Sequence, residues 1–189
     1  MTKIILLLLY NFTFLNALSN NDWELWNAME KKFTIDYAND FSNQDLESWL
    51  SYFAPNTKIN INQYDEHATK KSGESKTIKV YSGNILSSII RGRIPAKLMA
   101  KTLFRKLKEQ NYQKSNIELL GISKKNDHLL VYARFERINS FGNIYHSARG
   151  LYTLKKINTV WYIIEMSTYD DTKITDQLVG FDQMLKKVN

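Results

Sequence analysis

Residues 128–169 read HLLVYARFERINSFGNIYHSARGLYTLKKINTVWYIIEMSTY. Apolar and polar side chains alternate along most of this stretch, which is the pattern of half-buried β-strands. The pattern predicts strands at 128–137, 144–154 and 160–169, with another before them at 117–123. Turn-forming residues separate these strands: Asn126-Asp127, then Asn139 to Asn143 with Gly142, then Asn158-Thr159. The second half of the chain is therefore predicted to be an antiparallel meander.

Two helices joined by a tight turn are predicted upstream. The first shows an apolar residue every three or four positions, on a stripe made of Trp26, Met29, Phe33, Tyr37 and Phe41. Ser42 and Asp45 then form a capping-box pattern, and Ala54-Pro55 ends the second helix. The apolar stripe of that second helix consists of Leu46, Trp49, Leu50 and Phe53.

Shorter elements lie between the helices and the meander. Alternation predicts strands at 57–64 and around Ile78 and Val80, with a polar loop at 65–76 between them. A third helix is predicted to begin with Pro95 as its first residue. Its inner face is predicted to carry Leu98, Met99, Thr102, Leu103 and Leu107. The pattern leaves open whether 84–90 is also helical.

The amino terminus has the features of a secretory signal peptide. Lys3 precedes an apolar run from Ile4 to Leu9, and Ala17-Leu18-Ser19 supplies small residues before the chain becomes polar. Cleavage after Ser19 is predicted, so that 1–19 is a signal peptide and 20–189 a single exported domain, periplasmic or extracellular. The alternative, an uncleaved membrane anchor, needs about 20 apolar residues, and this run is shorter and interrupted.

The carboxyl end and the composition add three expectations. A final helix is predicted at 172–188, with its apolar seam covering the rest of the domain; the alternative is that the seam pairs with another copy of the chain. The chain has no cysteine, which excludes disulfides, thiol catalysis and a lipid-attachment cysteine. Its formal net charge of +7 attracts polyanions without specificity, and we interpret it first as a solubility feature.

This order of elements resembles the nuclear transport factor 2-like (SnoaL-like) superfamily, over roughly 22–169. The segments that carry the resemblance are Asp45-Leu46-Glu47-Ser48-Trp49-Leu50, Phe53-Ala54-Pro55-Asn56, Gly142, Gly150-Leu151-Tyr152-Thr153-Leu154 and Trp161-Tyr162-Ile163-Ile164. The resemblance implies an α+β fold in which a cone-shaped, curved antiparallel sheet wraps around the N-terminal helices. It also implies an apolar pocket and a homodimer formed through the sheet. Asn158-Thr159 departs from the acidic-glycine turn usual there, and the final helix is an addition.

Strand alternation supplies the chemical candidates. Tyr132, Arg134 and Glu136 share one face of a strand, and Arg149 lies on the next strand, whose other face carries His146. The Arg-Glu pair would orient a bound anion or shift a neighbour's pKa; the alternative is a salt bridge that faces solvent. The predicted pocket-lining residues are Tyr37, Trp49, Tyr132, Arg134, Glu136 and Arg149. The catalytic candidates are Tyr37, Asp40 and His146, because isomerase chemistry needs a base facing a hydrogen-bond donor.

Other partners are predicted from what the sequence contains and lacks. The three histidines are scattered without metal-ligand spacing, so no metal and no cofactor are expected. Lys97, Lys101, Arg105 and Lys108 form a cationic stripe that would make weak contact with anionic surfaces, or else is a solvated helix face. The stripe has no interleaved aromatic residue, so nucleic acid is not expected.

The sequence therefore leaves three functional hypotheses. The first is an exported binding domain of SnoaL-like type, with a pocket for a small apolar or amphipathic molecule. The second is a cofactor-free lyase or isomerase of the SnoaL or ketosteroid isomerase kind. The third is an interaction subunit that docks a protein partner through the sheet or the basic helix.

Overall fold

A computed structural model describes residues 20–62 and 75–169 of the chain. The predicted signal peptide, most of the predicted polar loop and the predicted final helix lie outside the described residues. The helices are α1 (Asn20–Glu30), α2 (Lys31–Tyr37), α3 (Ala38–Ser42), α4 (Leu46–Ser51), α5 (Ile85–Ile90) and α6 (Ala96–Glu109). None of the helices in these two ranges has the length and apolar character needed to cross a membrane.

The strands form one seven-stranded sheet with the order β3-β2-β1-β7-β6-β5-β4. They are β1 (Phe53–Asn62), β2 (Ser75–Tyr81), β3 (Ile94–Pro95), β4 (Tyr112–Lys125), β5 (His128–Asn139), β6 (Ile144–Ile157) and β7 (Val160–Tyr169). The β4 to β7 meander is antiparallel as predicted, whereas β1 pairs with β7, and β2 with β3, in parallel. The predicted α+β class with a curved sheet is confirmed.

Helices α1 to α3 form one continuous helical segment whose middle part, α2, is π-helical. The predicted apolar stripe is buried along its whole length, from Trp26 through Phe33 and Tyr37 to Phe41. The last residues of this stripe, Phe33, Tyr37 and Phe41, are four positions apart. In an ordinary α-helix with 3.6 residues per turn, residues at this spacing move gradually around the helix and leave a single face. The i→i+5 hydrogen bonds of a π-helix put more residues in each turn, so α2 keeps the stripe facing the sheet.

The second helix differs from its prediction at both ends. Asp45 is itself the N-cap of α4, because its Oδ1 accepts a hydrogen bond from the backbone N–H of Ser48 at 3.1 Å. The helix ends at Ser51, and Phe53 begins β1 instead of closing the helix. The reason is pairing with β7, to which the carbonyl of Tyr52 is already bound. Pro55 is tolerated in β1 because the register with β7 is irregular there.

The third predicted helix begins one residue later and turns a different face inward. Pro95 is the N-cap, α6 starts at Ala96, and the prediction that Leu98 is on the inner face is wrong because that side chain is 55% exposed. The buried residues of α6 are Ala96, Ala100, Phe104 and Leu107. The two alanines let the helix lie close to its neighbours. A prediction based on large apolar residues does not detect such a face. Residues 85–90, left open by the sequence, are helical.

One face of the sheet packs on the helices, and register decides which residues lie on it. On β5, the odd-numbered Leu129, Val131 and Ala133 belong to the same core cluster as Phe33 of α2. Tyr152 of β6 lies on that face too, with its ring centroid 5.0 Å from that of Phe33. We call this the inner face, and the even-numbered residues of β5 therefore lie on the outer face.

Candidate functional site

The space between the helices and the inner face is filled by aromatic side chains. Tyr37 sits at the centre, with ring centroids 5.3 to 6.4 Å from those of six other aromatic residues. Phe104 of α6 packs against Phe41 and Trp49 at 5.6 Å each. The predicted pocket residues Tyr37 and Trp49 are therefore members of the core.

The cavity found beside this core is too small for an organic ligand. It lies between α4, β1, β2 and α6, and its volume of about 10 Å³ is at the lower limit for one water molecule. Its lining includes Trp49, Phe53, Thr57 and Met99. No ligand-sized apolar pocket is present in the described part of the chain near Tyr37 or Trp49.

The remaining predicted pocket residues lie on the outer face, so their assignment to the pocket is corrected. Arg134 is opposite Arg149 in the register of β5 and β6, and its guanidinium binds the Glu118 carboxylate at 2.5 Å. Arg149 donates a hydrogen bond to the hydroxyl of Tyr132 at 2.8 Å, and Glu136 lies on the same face of β5 as Tyr132 and Arg134. Alternation grouped these residues correctly, but it could not tell which face of the strand meets the helices.

The three catalytic candidates are not assembled into one site. Asp40 accepts a hydrogen bond from the Tyr52 hydroxyl at 2.8 Å, whereas Tyr37 is enclosed in the core. His146 lies on β6, with its ring 5.9 Å from that of Phe135. No aspartate, glutamate or histidine is among the buried polar residues of the described ranges. A carboxylate base facing an apolar interior is therefore not present there.

The inner face of β5 ends in a residue that the sequence reasoning passed over, Arg137. It continues the odd-numbered series of Leu129 to Phe135 and is paired with Ser115 on β4 and His146 on β6. Its side chain is partly exposed, but its Nε is buried and has no hydrogen-bond partner. No carboxylate of the described residues lies within 4.0 Å of its guanidinium. The guanidinium carbon is 5.8 Å from the centroid of the Phe135 ring.

A β-bulge brings a second donor to the same place. The register of β5 and β6 shifts just after Arg137, so that Tyr145 becomes an extra residue of β6. Such a bulge re-aims a side chain, and Tyr145 packs against the core although it is next to His146. Its hydroxyl is buried without a hydrogen-bond partner, like the Nε of Arg137. We call Arg137, Tyr145, Phe135 and His146 the Arg137 site.

Hydrogen bonds connect the part of β4 next to this site to helix α3. The hydroxyls of Tyr112 and Ser115 are 2.9 Å apart, and the backbone N–H of Ser115 donates to the Ser42 Oγ of α3 at 3.0 Å. Phe41, one residue before Ser42, stacks edge-on against Tyr112 at 5.9 Å. The end of the helical segment, β4 and the neighbouring end of β5 are therefore fixed relative to one another.

The Arg137 guanidinium carries a positive charge, and the tyrosine hydroxyls around it are neutral. Burial raises the pKa of Tyr145 and of Tyr112, raises the pKa of Tyr152 to about 12, and raises the pKa of Tyr37 well above its ordinary value. All four hydroxyls are thus neutral at physiological pH. Burial also lowers the pKa of the Arg137 guanidinium, but an arginine stays protonated. Its charge is not balanced by any described side chain.

The site has groups that can recognise an anion. It presents a cation and two buried donors without a described acceptor, with two rings beside them. In the two described ranges, no group of three or more histidine, aspartate or glutamate side chains could hold a metal ion. The signal for Arg137 was present in the sequence, because it has the parity of the most apolar face of its strand.

Comparison with known proteins adds information on the fold. No protein-family profile and no curated protein matches the chain. Among solved structures, Aln2 from a Streptomyces species aligns with a TM-score of 0.52 at 8% identity, covering 82% of this chain and 96% of its own. A five-substitution variant called Rd1NTF2_05 aligns with a TM-score of 0.51 at 15% identity, covering 76% and 98%.

A protein of unknown function from Nostoc punctiforme, described as having a cystatin-like fold, aligns with a TM-score of 0.50. It is 16% identical, and the alignment covers 82% of this chain and 96% of its own. Likeness at these identities concerns the fold alone. With the curved sheet and the helices packed on its inner face, it shows that this chain has the nuclear transport factor 2-like, cystatin-like α+β fold.

Proposed function

We propose that this chain is a binding domain for a small amphipathic molecule that carries a carboxylate, and that the carboxylate pairs with Arg137. Four buried side-chain donors of the described residues have no hydrogen-bond partner: Trp26 Nε1, Trp49 Nε1, Arg137 Nε and Tyr145 Oη. The observation that carries the proposal is that two of them, Arg137 Nε and Tyr145 Oη, belong to the same end of the inner face. Buried polar groups in folded proteins are almost always hydrogen-bonded. A ligand with two acceptor oxygens and one negative charge supplies what both groups lack.

The guanidinium favours a carboxylate over other acceptors. Arginine presents its N–H groups in a planar fork that matches the two oxygens of a carboxylate, and such charge-assisted hydrogen bonds are about twice as strong as neutral ones. The hydroxyl of Tyr145 adds a third donor at the same end of the inner face.

The rest of the ligand is expected to be apolar and small. The ring of Phe135 lies beside the cation and is partly exposed, so it offers a surface for a planar or aliphatic group. A deep apolar pocket is not part of this proposal, because aromatic side chains occupy the interior. The ligand would bind at the edge of the core, close to the turn between β5 and β6.

Binding is favoured over the lyase or isomerase hypothesis because no specific observation supports a catalytic group. Export through the predicted signal peptide and homodimerisation through the sheet stay predictions. They are compatible with a binding domain that captures its ligand outside the cytoplasm.

Isothermal titration calorimetry with matched acids and amides tests the proposal. The probes are benzoate and phenylacetate, each compared with its neutral amide, benzamide and phenylacetamide. We expect the acids to bind about tenfold or more tightly than the amides, because a charge-assisted hydrogen bond is replaced by a neutral one. Arg137→Met should abolish this preference.

The matched control is Arg134→Met, which removes an arginine from the outer face of the same strand. It should bind the acids as the unmodified protein does. Acids and amides that bind equally, or acid binding that is lost in Arg134→Met and kept in Arg137→Met, would contradict the proposal.

A further inference from the structure

Helix α5 is folded with its polar side inward and its apolar side outward. Ser88 is its one buried residue, and the Ser88 hydroxyl donates to the Asn84 carbonyl at 2.9 Å. Its aliphatic residues are between 60 and 76% exposed: Ile85, Leu86, Ile89 and Ile90. A surface helix of a globular protein normally buries such residues against the core. The exposed side of α5 therefore has no role in holding this domain together.

The exposed apolar surface continues beyond α5. Ile94 in β3 and Leu98 in the first turn of α6 are 41% and 55% exposed, and β3 contacts both helices. We call Ile85, Leu86, Ile89, Ile90, Ile94 and Leu98 the α5 patch. Contiguous apolar surfaces of this kind mark sites that meet a protein or a membrane, whereas single exposed aliphatic residues need no explanation.

The segment of the chain that carries the α5 patch contains charged residues of one sign only. Residues 77–108 contain no aspartate or glutamate. Their basic residues are Lys79, Arg91, Arg93, Lys97, Lys101, Arg105, Lys106 and Lys108. Lys97 is paired with Glu47 at 2.6 Å, and the side chains of Arg91 and Lys101 are exposed. An apolar patch next to an exclusively basic segment is complementary to a surface that is apolar inside and anionic outside.

We propose that the α5 patch docks this protein on an anionic lipid bilayer. The aliphatic side chains of α5 enter the boundary between headgroups and acyl chains, while Arg91, Lys101 and their basic neighbours contact the phosphate groups. Amphipathic surface segments bind membranes in this way, by buried apolar area together with attraction to anionic lipids. The inference does not depend on a ligand at Arg137.

The composition of the patch favours lipid over a protein partner. Protein interfaces are enriched in tyrosine, tryptophan and methionine, and leucine is under-represented among the residues that dominate their binding energy. The α5 patch consists of isoleucine and leucine alone, and four of its six residues belong to one short helix. The hydrocarbon tails of lipids can surround such side chains without a binding surface of complementary shape.

Vesicle co-sedimentation tests the proposal. The full protein is mixed with vesicles of phosphatidylcholine alone, or of equal parts phosphatidylcholine and phosphatidylglycerol. We expect sedimentation with the anionic vesicles and little with the neutral ones. The double variant Leu86→Asn, Ile90→Asn should weaken vesicle binding about tenfold or more, because two aliphatic groups no longer leave water. Arg91→Gln with Lys101→Gln should weaken it about tenfold.

Two controls separate this surface from general effects. Ile35→Asn changes an aliphatic residue that is 51% exposed on α2, and Lys114→Gln removes a positive charge from β4 at the other edge of the sheet. Both should bind anionic vesicles like the unmodified protein, and melting curves confirm that each variant is folded. Anionic vesicles bound equally by the Leu86→Asn, Ile90→Asn variant, or left unbound by the unmodified protein, would overturn the proposal. A dimer that this variant abolishes, with no vesicle binding, would assign the patch to a second copy.

Discussion

Replacing Arg137 by methionine should stabilise the protein in the absence of ligand and remove its affinity for carboxylates. A gain in stability together with a loss of carboxylate affinity distinguishes a residue that recognises a ligand from one that holds the fold together. A structural arginine holds its surroundings through hydrogen bonds, and its loss destabilises. Arg137 has a buried Nε without a partner and no carboxylate of the described residues beside it, so its loss should relieve a cost.

The magnitude follows from what the substitution removes and keeps. A buried donor without a hydrogen-bond partner costs about 1 to 3 kcal/mol. The guanidinium is partly exposed and keeps some hydration, so the charge itself adds little to this figure. Methionine retains most of the aliphatic stem, and its flexibility allows it to pack against Phe135. We therefore expect the free energy of unfolding to rise by about 1 to 2 kcal/mol.

Urea denaturation, followed by circular dichroism, measures this change. A gain of 1 kcal/mol corresponds to a rise in melting temperature of about 2 to 4 °C for a domain of this size. Arg134→Met is the matched control; that guanidinium is solvent-exposed and paired with Glu118, so the change should stay within about 0.5 kcal/mol. If Arg137→Met instead lowers the free energy of unfolding by 1 kcal/mol or more, Arg137 is a structural residue and the reasoning fails.

Two further predictions concern the turn between β6 and β7 and the buried tyrosines. Thr159 has a φ of 72°, which a β-branched residue adopts with strain, so Thr159→Gly should raise the free energy of unfolding by about 1 kcal/mol in urea, with an unchanged denaturant slope. A loss of stability would show that the turn is not strained. The pKa of Tyr152 rises from 10.0 to about 12 on folding, so the unfolded state loses its proton first and stability falls as pH rises between these values. Between these pH values, the free energy of unfolding of Tyr152→Phe should fall by about 2 to 3 kcal/mol less than that of the unmodified protein, as measured by urea denaturation at each pH. An equal fall in both proteins would refute the raised pKa of Tyr152.

The elements that local pattern controls were predictable. The meander follows from alternation and from turn residues, because each hairpin is specified within a few positions. The buried stripe from Trp26 to Phe41 follows from helical spacing in the same way. The π-helical α2 was not predicted, although the repeated spacing of four residues from Phe33 onwards was visible.

The candidate site was not predictable to the same degree, because it depends on which strand face meets the helices. Alternation placed Tyr132 and Arg134 on one face and Phe135 on the other, but only tertiary packing makes the second face the inner one. Polar side chains are the usual candidate ligands, so the sequence pattern favoured the face that carries most of them. Arg137 was overlooked since it belongs to the face that otherwise carries apolar residues.

Burial also explains why the predicted pocket residues became core. Tyr37 and Trp49 have the amphipathic character of pocket-lining side chains, and sequence cannot tell an aromatic residue that lines a cavity from one that fills it. Here the neighbouring aromatic residues are numerous enough to close the interior. The exposed aliphatic face of α5 was hidden for a related reason, because an apolar segment is normally expected to be buried.

The most direct test of the central claim observes the Arg137 side chain itself. The NMR signal of its Nε–H can be assigned by comparison with the Arg137→Met variant and followed while phenylacetate is added. We predict that the signal shifts downfield and exchanges more slowly with solvent, because the Nε–H gains an acceptor, and that phenylacetamide leaves it unchanged. A signal that stays unperturbed at saturating phenylacetate, or moves equally with the amide, would contradict carboxylate recognition by Arg137.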